Sequence, residues 1–455
     1  MATDCIAQLT FRSDGFLKPV VAAFDVAHAS SDGGALLLKA LDDALGLTTR
    51  VAACLGDARQ ASKVQHSVLD LLRQRVYGLA LGYPDGNDAA RVAHDPLHKL
   101  LVERDPLTGA ALGSQPTLSR FENAVTRAGL HALATALADL VIARHRRRLG
   151  RRTKRITIDL DTTEDPTHGQ QEFAAFNGFY AHACYLPLIA TLTFNAEPQQ
   201  YLVAALLRPG IGAPSGTAIG LLRRLVPTLR AAFPRARLRV RLDAGFAGER
   251  LLAFLEDAQV EYLVALQGHS RLRRRARRLQ GRARRLSRER GRPVRVFGQT
   301  HYRARRWRAR RRVIMKAEVV WHPGRPPKNN PRFVVTNLPH RPRRAYQLYC
   351  GRGDVENRLK ELHVGLALDR TSCSRFRANT FRVLLTAVAY VLFQELQRRV
   401  QRTACAGAQV WTLRERLLKV AAWVERSVRR IVVHLPTTYP WQPTWRQLAH
   451  AFGAT

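Results

Sequence analysis

The sequence predicts an α/β fold, with a helical region before the α/β core and helices after it. Two patterns lead to this prediction. Apolar residues recur at helical spacing through residues 34–149, and from Arg155 onward short apolar runs of strand length alternate with amphipathic segments. The 455 residues are enough for two or three domains, and a hydrophobic content of 46% excludes a disordered chain.

The predicted core begins with a strand at residues 156–161, in which Ile156, Ile158 and Leu160 alternate with polar residues. Strands and helices follow in the order strand, strand, helix, strand, helix, strand, which is typical of an α/β layer. Their predicted bounds are 185–194, 200–207, 218–233, 238–243, 247–258 and 261–266.

Residues 268–335 interrupt this order with arginine runs such as 271–275 and with strand-like pieces at 313–320 and 333–335. We interpret them as a basic, partly β insertion, with a disordered basic loop as the alternative for 270–295. Further helices are predicted at 346–366, 380–401 and 413–432. The predicted divisions are a helical N-terminal region, the first part of the core, the insertion, and the completion of the core with C-terminal helices, at 1–150, 151–267, 268–338 and 339–455.

The charge of the chain indicates an anionic partner. Lys and Arg number 74 against 35 Asp and Glu, which gives a formal net charge of +39. DNA, with one negative charge per ~1.7 Å of helix axis, suits so basic a surface. A ribosomal or membrane surface is the alternative. Codon bias in a GC-rich genome would explain the preference for arginine, but not the shortage of acids.

The sequence gives no sign of a secreted or membrane protein. The six cysteines form no C-x-x-C pair, which argues against a zinc ribbon, and a disulfide framework is not expected at this size. The first residues lack a secretion-signal pattern, and the longest apolar run, 383–393, is shorter than the ~20 residues that span a bilayer. We expect a cytoplasmic, nucleoid-associated protein without a membrane partner.

Acidic residues mark the ends of two predicted strands. Asp159 and Asp161 are two residues apart and therefore project from one face of their strand, and Asp243 ends another strand. Acids on a buried strand are costly unless a cation pairs with them, and a divalent metal would serve. The alternatives are a solvated strand end for the first pair and a helix cap for Asp243.

A third acid lies in a predicted helix. Tyr349, Arg352, Glu356 and His363 stand at relative positions 0, 3, 7 and 14, on one helix face that Lys360 shares. An intrahelical ladder of ion pairs is the alternative interpretation. Two strands and one helix would thus each supply a carboxylate, the ligand type that Mg²⁺ prefers. Two such ions ~4 Å apart can stabilise both the attacking and the leaving oxygen of a phosphoryl transfer.

Three motifs together resemble a known family. They are residues 161–171 (DTTEDPTHGQQ), residues 241–247 (RLDAGFA) and Tyr349-x-x-Arg352-x-x-x-Glu356. They resemble bacterial insertion-sequence DDE transposases of the group with a Y-R-E-K signature and a β-rich insertion, in particular the insertion-sequence family numbered thirteen-eighty. The likeness covers nearly the whole chain.

The resemblance implies an RNase H-like catalytic core. Asp161, Asp243 and Glu356 would be its metal-binding triad for two Mg²⁺ ions, with Mn²⁺ as an expected substitute, and Asp159 is the alternative first acid. Tyr349 and Arg352 would contact DNA near the cleaved end. Where the family has a lysine seven residues after the glutamate, this chain has His363, and Lys360 is a possible replacement for that contact.

The expected function is therefore that of a DNA transposase. It would cut at the ends of an insertion sequence in a metal-dependent reaction and transfer the strands into target DNA. Its partners would be the double-stranded terminal inverted repeats, the target DNA and a second copy of the chain. The alternatives are a metal-dependent nuclease without strand transfer and a DNA-binding relic whose catalysis has decayed, for which His363 is the hint.

Overall fold

The computed structural model describes residues 8–12, 15 and 17–455, so that Cys5, one of the six cysteines, lies outside the described part. After three short strands, the first third of the described chain is mainly helical, as predicted. Its elements are β1 (Gln8–Phe11), β2 (Val20–Ala23), β3 (Ala29–Ser30), α1 (Leu36–Leu45), α2 (Leu47–Ala52), α3 (Val68–Leu81), α4 (Gly86–Arg91), α5 (Pro96–Leu101), α6 (Gln115–Ala124) and α7 (Arg127–Leu149).

The predicted strands and helices of the core are confirmed, with ends that shift by a few residues. In addition, three short strands, β5 to β7, come between β4 and β8 along the chain and form a small sheet of their own. The elements are β4 (Arg155–Thr162), β5 (Asp165–Pro166), β6 (Ala175–Asn177), β7 (His182–Tyr185), β8 (Leu188–Phe194), β9 (Tyr201–Leu206), α8 (Ser215–Ala232), β10 (Arg237–Leu242), α9 (Glu249–Asp257) and β11 (Glu261–Leu266).

The core strands pair in the order β9-β8-β4-β10-β11. Strands β4, β10 and β11 run parallel to one another, whereas β8 is antiparallel to both of its neighbours. Because β4 and β10 are parallel neighbours, their carboxyl ends lie at the same edge of the sheet. Asp161 stands near the end of β4, and Asp243 directly follows β10.

The insertion contains strands, as predicted, but they extend the core sheet. Strand β15 pairs antiparallel with β11 on one side and with β13 on the other. The alternative of a disordered loop at 270–295 is wrong, because two helices cover most of it and bury apolar residues such as Ala283. The elements are α10 (Ser270–Arg275), α11 (Arg277–Arg290), β12 (Val294–Tyr302), β13 (Arg311–His322), β14 (Arg325–Asn329) and β15 (Arg332–Thr336).

The prediction of one regular helix at 346–366 is wrong only in part, because the segment is helical throughout but irregular. The segment consists of α12 (Pro342–Cys350), a 3₁₀ turn, α13 (Asp354–Lys360) and a π-helical turn. Glycine lowers helix propensity, and both Gly351 and Gly353 lie at the break. A Cβ on Gly351 would lie 2.3 Å from Nη1 of Arg241, so the close approach of that side chain requires glycine.

The helix predicted at 413–432 is also wrong, so the C-terminal part is not purely helical. After α14 (Phe376–Arg399) and α15 (Val410–Leu413), the chain forms a π-helical turn and two strands, β16 (Ala422–Arg426) and β17 (Ile431–His434), and ends with α16 (Gln442–Ala451). Strand β16 pairs with β3 from the other end of the chain. β-Branched residues in this segment suit strands, and a distant partner overrides local helical spacing.

The two ends of the described chain are packed together. Besides the pairing of β3 with β16, the backbone N–H of Gly33 donates to the carbonyl of Val420 at 2.8 Å. A Cβ on Gly34 would lie 1.8 Å from the carbonyl oxygen of Leu417, so only glycine allows this contact. Lys419 also forms an ion pair of 2.7 Å with the buried carboxylate of Asp32.

Helix α14 is the central helix of the hydrophobic core. It packs against α3 and α7 of the N-terminal region and against β9 of the sheet. The helical stretch Phe376–Arg402 is long and apolar enough to cross a membrane, but 78% of its most apolar window is buried inside the protein. Helices α6 and α7 would pass the same test only as one span, and a bend of 90° separates them. Burial accounts for the apolar character of α14.

Candidate active site

The candidate site lies at the edge of the sheet where β4 and β10 end. Asp161 is buried, with 8% of its side chain exposed, and Asp243 is half-buried in the turn after β10. Oδ1 of Asp243 accepts a hydrogen bond of 2.9 Å from the backbone N–H of Gly245, which begins a short 3₁₀ turn. The expected cap is therefore present, and it leaves Oδ2 of Asp243 free of any hydrogen bond within the described residues.

The two aspartates influence each other. Burial, together with the negative charge of Asp243, raises the pKa of Asp161 to about 6, although Arg352 acts in the opposite direction. A carboxylate that is desolvated next to a second carboxylate is destabilised in its charged form. This edge of the sheet therefore favours the binding of a cation.

Arg352 connects the strand acids to the helix acid. Its Nη2 lies 2.8 Å from Oδ1 of Asp161, and its Nη1 lies 3.8 Å from Oε1 of Glu356. The side chain of Glu356 is 71% exposed, whereas that of Arg352 is only 12% exposed. Nε of Arg352 is buried and has no hydrogen-bond partner within the described residues. The guanidinium of Arg352 thus lies between the two carboxylates, and its Nε remains without an acceptor among the described residues.

Asp159, the alternative first acid, has partners of a different kind. Its carboxylate is fully buried and receives two hydrogen bonds of 2.6 Å from Nε and Nη2 of Arg241. Gln200 donates a third, at 2.9 Å. Nη1 of Arg241 in turn donates to the backbone carbonyl of Leu348 at the end of α12. Asp159 thus belongs to a buried ion pair that holds α12 against the sheet.

Tyr349 lies between the acids and an open groove. Burial raises its pKa, and the charges of Asp243 and Asp161 contribute to this rise, while Arg352 lowers it. The groove has a volume of about 580 Å³ and is lined by Tyr349, Ala244 and residues of β11, β15 and α12. Since Ala244 follows Asp243, the groove opens directly beside the acids.

His363 and Lys360 point in different directions. Nε2 of His363 shares a hydrogen bond of 2.9 Å with the hydroxyl of Thr163, just beyond β4, and its Nδ1 lies 3.8 Å from Asp369. Nζ of Lys360 lies 5.7 Å from the ring centre of Trp411, at cation–π distance. His363 therefore stands at the strand end that carries Asp161, whereas Lys360 faces the C-terminal part of the chain.

Sequence reasoning missed the roles of Arg241, Thr163 and Asp369. Arg241 was visible as a charged residue inside an apolar strand two residues before Asp243, a costly position that calls for a buried partner. Thr163 and Asp369 gave no comparable signal, because only the folded chain brings them to His363.

Carboxylate oxygens of Asp161, Asp243 and Glu356 are the donors that could hold a divalent ion here. Within residues 8–12, 15 and 17–455, no three His, Cys, Asp or Glu side chains lie close enough together to form a metal site. At this edge of the sheet the guanidinium of Arg352 stands between two of the three acids.

Comparison with known protein families identifies the family of this chain. The family model described as "Transposase DDE domain group 1" matches residues 12–453, nearly the whole chain. No curated protein matches the chain.

Proposed function

The chain belongs to the group 1 family of transposases with a DDE domain, and on that premise we propose that it moves an insertion sequence. Members of such a family are DNA-processing enzymes, and their substrate is DNA. The proposed reaction is cleavage at the ends of the element followed by transfer of the freed strands into target DNA. We place it in the cytoplasm, on the nucleoid, and in the insertion-sequence family numbered thirteen-eighty.

The observation that carries the proposal is the position of Arg352 between Asp161 and Glu356, next to Asp243. Three acids from distant parts of the chain adjoin one buried guanidinium. The strand order supports an RNase H-like core, since the first acid is on the first core strand, the second follows the fourth, and the third is on a late helix.

The side-chain chemistry of the three acids, though not their present spacing, suits the divalent metal ions that DDE transposase domains generally use. The donors are hard oxygens, and the mutual repulsion of Asp161 and Asp243 would be relieved by a cation. Glu356 is exposed enough to reorient toward them. Two Mg²⁺ ions held by these acids would stabilise the attacking and leaving oxygens of an in-line phosphoryl transfer.

Arg352 and Tyr349 are the proposed contacts to the DNA beside the cut. Nε of Arg352 is a buried donor that lacks a partner in the described protein, and a phosphate oxygen would satisfy it. A guanidinium can bind phosphate through two parallel hydrogen bonds. His363, at the end of β4, is a further proposed phosphate contact, whereas the direction of Lys360 toward Trp411 argues against it as a replacement.

The longer DNA contacts are proposed for the N-terminal region, residues 1–150, and the basic insertion, residues 268–338. Helix α11 buries Ala283 against the sheet and exposes arginines such as Arg278 and Arg282. An arginine-lined helix face of this kind suits the DNA backbone. We also propose that two copies of the chain act together on the paired element ends.

The test uses the full chain, Mg²⁺ and a plasmid that carries the inverted repeats flanking its gene. Asp243→Ala and Glu356→Ala should abolish cutting while DNA binding in a gel-shift assay stays close to that of the wild type. Asp257→Ala, which removes an exposed acid at the end of α9, is the control and should cut normally. Cutting by either site variant would reject the assignment of the acids.

A second arm separates the transposase from its alternatives. When precut ends are mixed with a target plasmid, a transposase yields joined products. Cutting without joining indicates a nuclease, and binding without cutting by the wild type indicates a relic. Joining that depends on Asp243 would support strand transfer by the same site.

A further inference from the structure

An unusual group of exposed aromatic residues lies beside the acids. Phe173, Phe176 and Phe179 are 65%, 67% and 87% exposed, and they belong to one short segment, residues 173–185, which we call the aromatic hairpin. It comprises β6, β7 and the turn between them. Large apolar side chains exposed together mark an interaction site more often than chance exposure.

The aromatic hairpin is attached to the edge of the sheet that carries the acids. Strand β5 begins four residues after Asp161 and pairs with β7, and β7 leads through Pro187 into β8, the neighbour of β4. The small sheet therefore continues β4 and β8 beyond their ends, on the side of Asp161. The loop that follows β9 connects the hairpin to the second acid, because Gly210 packs on Ala175 and Pro214 approaches Gly245.

Electrostatics agree with this proximity. The pKa of Tyr180, in the turn of the hairpin, is raised mainly by burial, and the charges of Glu164, Asp161 and Asp243 add to the rise. The ring of Tyr180 also packs edge-on against that of Phe179, with 4.9 Å between their centres. The exposed ring of Phe179 thus contacts the ring of Tyr180, which lies close enough to Asp161 and Asp243 to be influenced by their charges.

The hairpin is held in a defined shape. The side chain of Asn177 donates to the carbonyl of Gly210 at 3.0 Å and accepts from the backbone N–H of Phe179, also at 3.0 Å. A Cβ on Gly210 would lie 2.1 Å from the carbonyl oxygen of Cys184, so the loop lies directly against the hairpin. The exposed rings therefore project from a fixed support.

Cations border the aromatic surface. The ring of Phe173 contacts that of Phe376 edge-on, with centres 5.4 Å apart, and the exposed Arg375 and Arg377 lie on either side of Phe376. Neither arginine forms an ion pair within the part of the chain that the structure describes. Exposed aromatic faces next to unpaired cations are the combination with which proteins hold unpaired nucleic acid, through base stacking and phosphate contacts.

We propose that the aromatic hairpin stacks against unpaired nucleobases of the DNA strand whose phosphate lies at the acid site. This inference rests on the proposed function, since it requires DNA at the acids. Phe176 and Phe179 supply the stacking faces, and Arg375 and Arg377 hold the adjoining backbone. Unpairing a base costs free energy, and stacking on an aromatic ring offsets much of that cost.

The test measures binding and needs no cleavage. Fluorescence anisotropy in EDTA compares a fluorescent duplex with fully paired ends and the same duplex with mismatched terminal base pairs. The wild type should prefer the mismatched duplex by ~10-fold, and Phe176→Ala/Phe179→Ala should remove that preference while the affinity for the paired duplex stays unchanged. Phe24→Ala, which removes an equally exposed ring outside the hairpin, is the control and should keep it.

Two results would overturn the proposal. They are equal binding of both duplexes by the wild type and a preference that survives in the double variant. If the double variant keeps the preference but dissociates in sedimentation experiments, the rings contact a second copy of the chain instead. A wild type that binds neither duplex would reject the proposed function as well, whereas normal binding and cutting without the preference would reject the stacking alone.

Discussion

Arg241 and Asp159 form a buried ion pair directly beneath the candidate active site, with two hydrogen bonds of 2.6 Å between guanidinium and carboxylate. The pair joins β10 to β4, and Arg241 also donates to the backbone of Leu348 in α12. Since α12 leads into the turn that carries Arg352, the pair positions the helix side of the site relative to the strand side. The pair therefore indicates a structural role for Asp159, whereas Asp161, two residues further along β4, is the proposed catalytic acid.

We predict that Asp159→Asn and Asp161→Asn fail in different ways. Loss of one partner from a buried ion pair costs ~3–5 kcal/mol, so Asp159→Asn should lower the melting temperature markedly yet still cut DNA at low temperature. Asp161→Asn should melt close to the wild type, because it also removes a desolvated charge that Asp243 repels, and it should not cut. Thermal unfolding followed by circular dichroism and a cleavage assay measure both effects. If Asp159→Asn melts normally but cannot cut, Asp159 is the first acid.

We predict that Arg352 would compete with metal ions for the acids. Because its guanidinium lies 2.8 Å from Asp161 and 3.8 Å from Glu356, Arg352→Gln should free both carboxylates. We expect Mn²⁺ to bind the variant more tightly by ~5-fold, which corresponds to about 1 kcal/mol of binding free energy, while DNA cleavage decreases. Isothermal titration measures the affinity, with the exposed Arg344→Gln as control. Weaker Mn²⁺ binding would contradict the competition.

His363 occupies the position where the family resemblance implies a lysine. We predict that His363→Ala slows single-turnover cleavage with little change in DNA affinity, because the proposed phosphate contact of His363, which lies at the end of β4, would be lost. His363→Lys should restore or exceed the wild-type rate, since lysine carries a full charge on a longer, flexible stem. Lys360→Ala, next to Trp411, should cut normally. Wild-type cutting by His363→Ala would show that the histidine makes no catalytic contact.

The exposed arginines of α11 should contribute to DNA affinity through charge alone. Replacing Arg278, Arg282 and Arg285 with alanine should weaken binding to all sequences and lower the slope of log affinity against log salt by ~3. The corresponding lysine variants keep the charge and should keep the slope. An unchanged slope in the alanine variant would place α11 outside the DNA contact. Anisotropy titrations at several salt concentrations give the slope.

His145 makes stability depend on pH. It is buried against Phe194 and accepts hydrogen bonds at Nδ1 from Arg148, so it is neutral, and burial together with the charge of Arg148 lowers its pKa to about 3. The unfolded chain binds this proton at an ordinary pKa of ~6.5. Between these values the unfolded state holds more protons, and stability decreases as the pH falls.

The predicted change is a flatter pH profile for His145→Gln. Its melting temperature should drop less than that of the wild type between about pH 7 and about pH 5, because glutamine does not bind a proton in this range. His131→Gln, on the exposed face of the same helix, should follow the wild-type profile. Parallel profiles for the wild type and His145→Gln would show that another group accounts for the acid sensitivity.

Local patterns in the sequence were sufficient to predict the core. Each core strand is a short apolar run with strand periodicity, and the acids that end β4 and β10 are visible as charged residues at the ends of those runs. The pairing of β4 with β10, which brings Asp161 and Asp243 to one edge of the sheet, does not follow from local patterns, and only the family resemblance implied that these acids lie together.

Features that depend on distant contacts could not be predicted in this way. Asp159 and Asp161 are equivalent in the strand pattern, and only the partner Arg241, from another strand, distinguishes them. The break in the helix at Gly351 depends on the same arginine, which fills the space of a side chain. Strand β16 replaces a predicted helix because β3, from the far end of the chain, offers it an edge.

The pairing of β3 with β16, together with the contact between Gly34 and the backbone at Leu417, has a consequence for biosynthesis. The ribosome synthesises β16, the partner of β3, only when the chain is nearly complete. At ~5–20 residues per second, this is tens of seconds after β3 itself has been made. During translation the edge of β3 stays open, and exposed strand edges invite aggregation. Nascent chains, and fragments that stop before Leu417, should therefore be clients of chaperones and proteases.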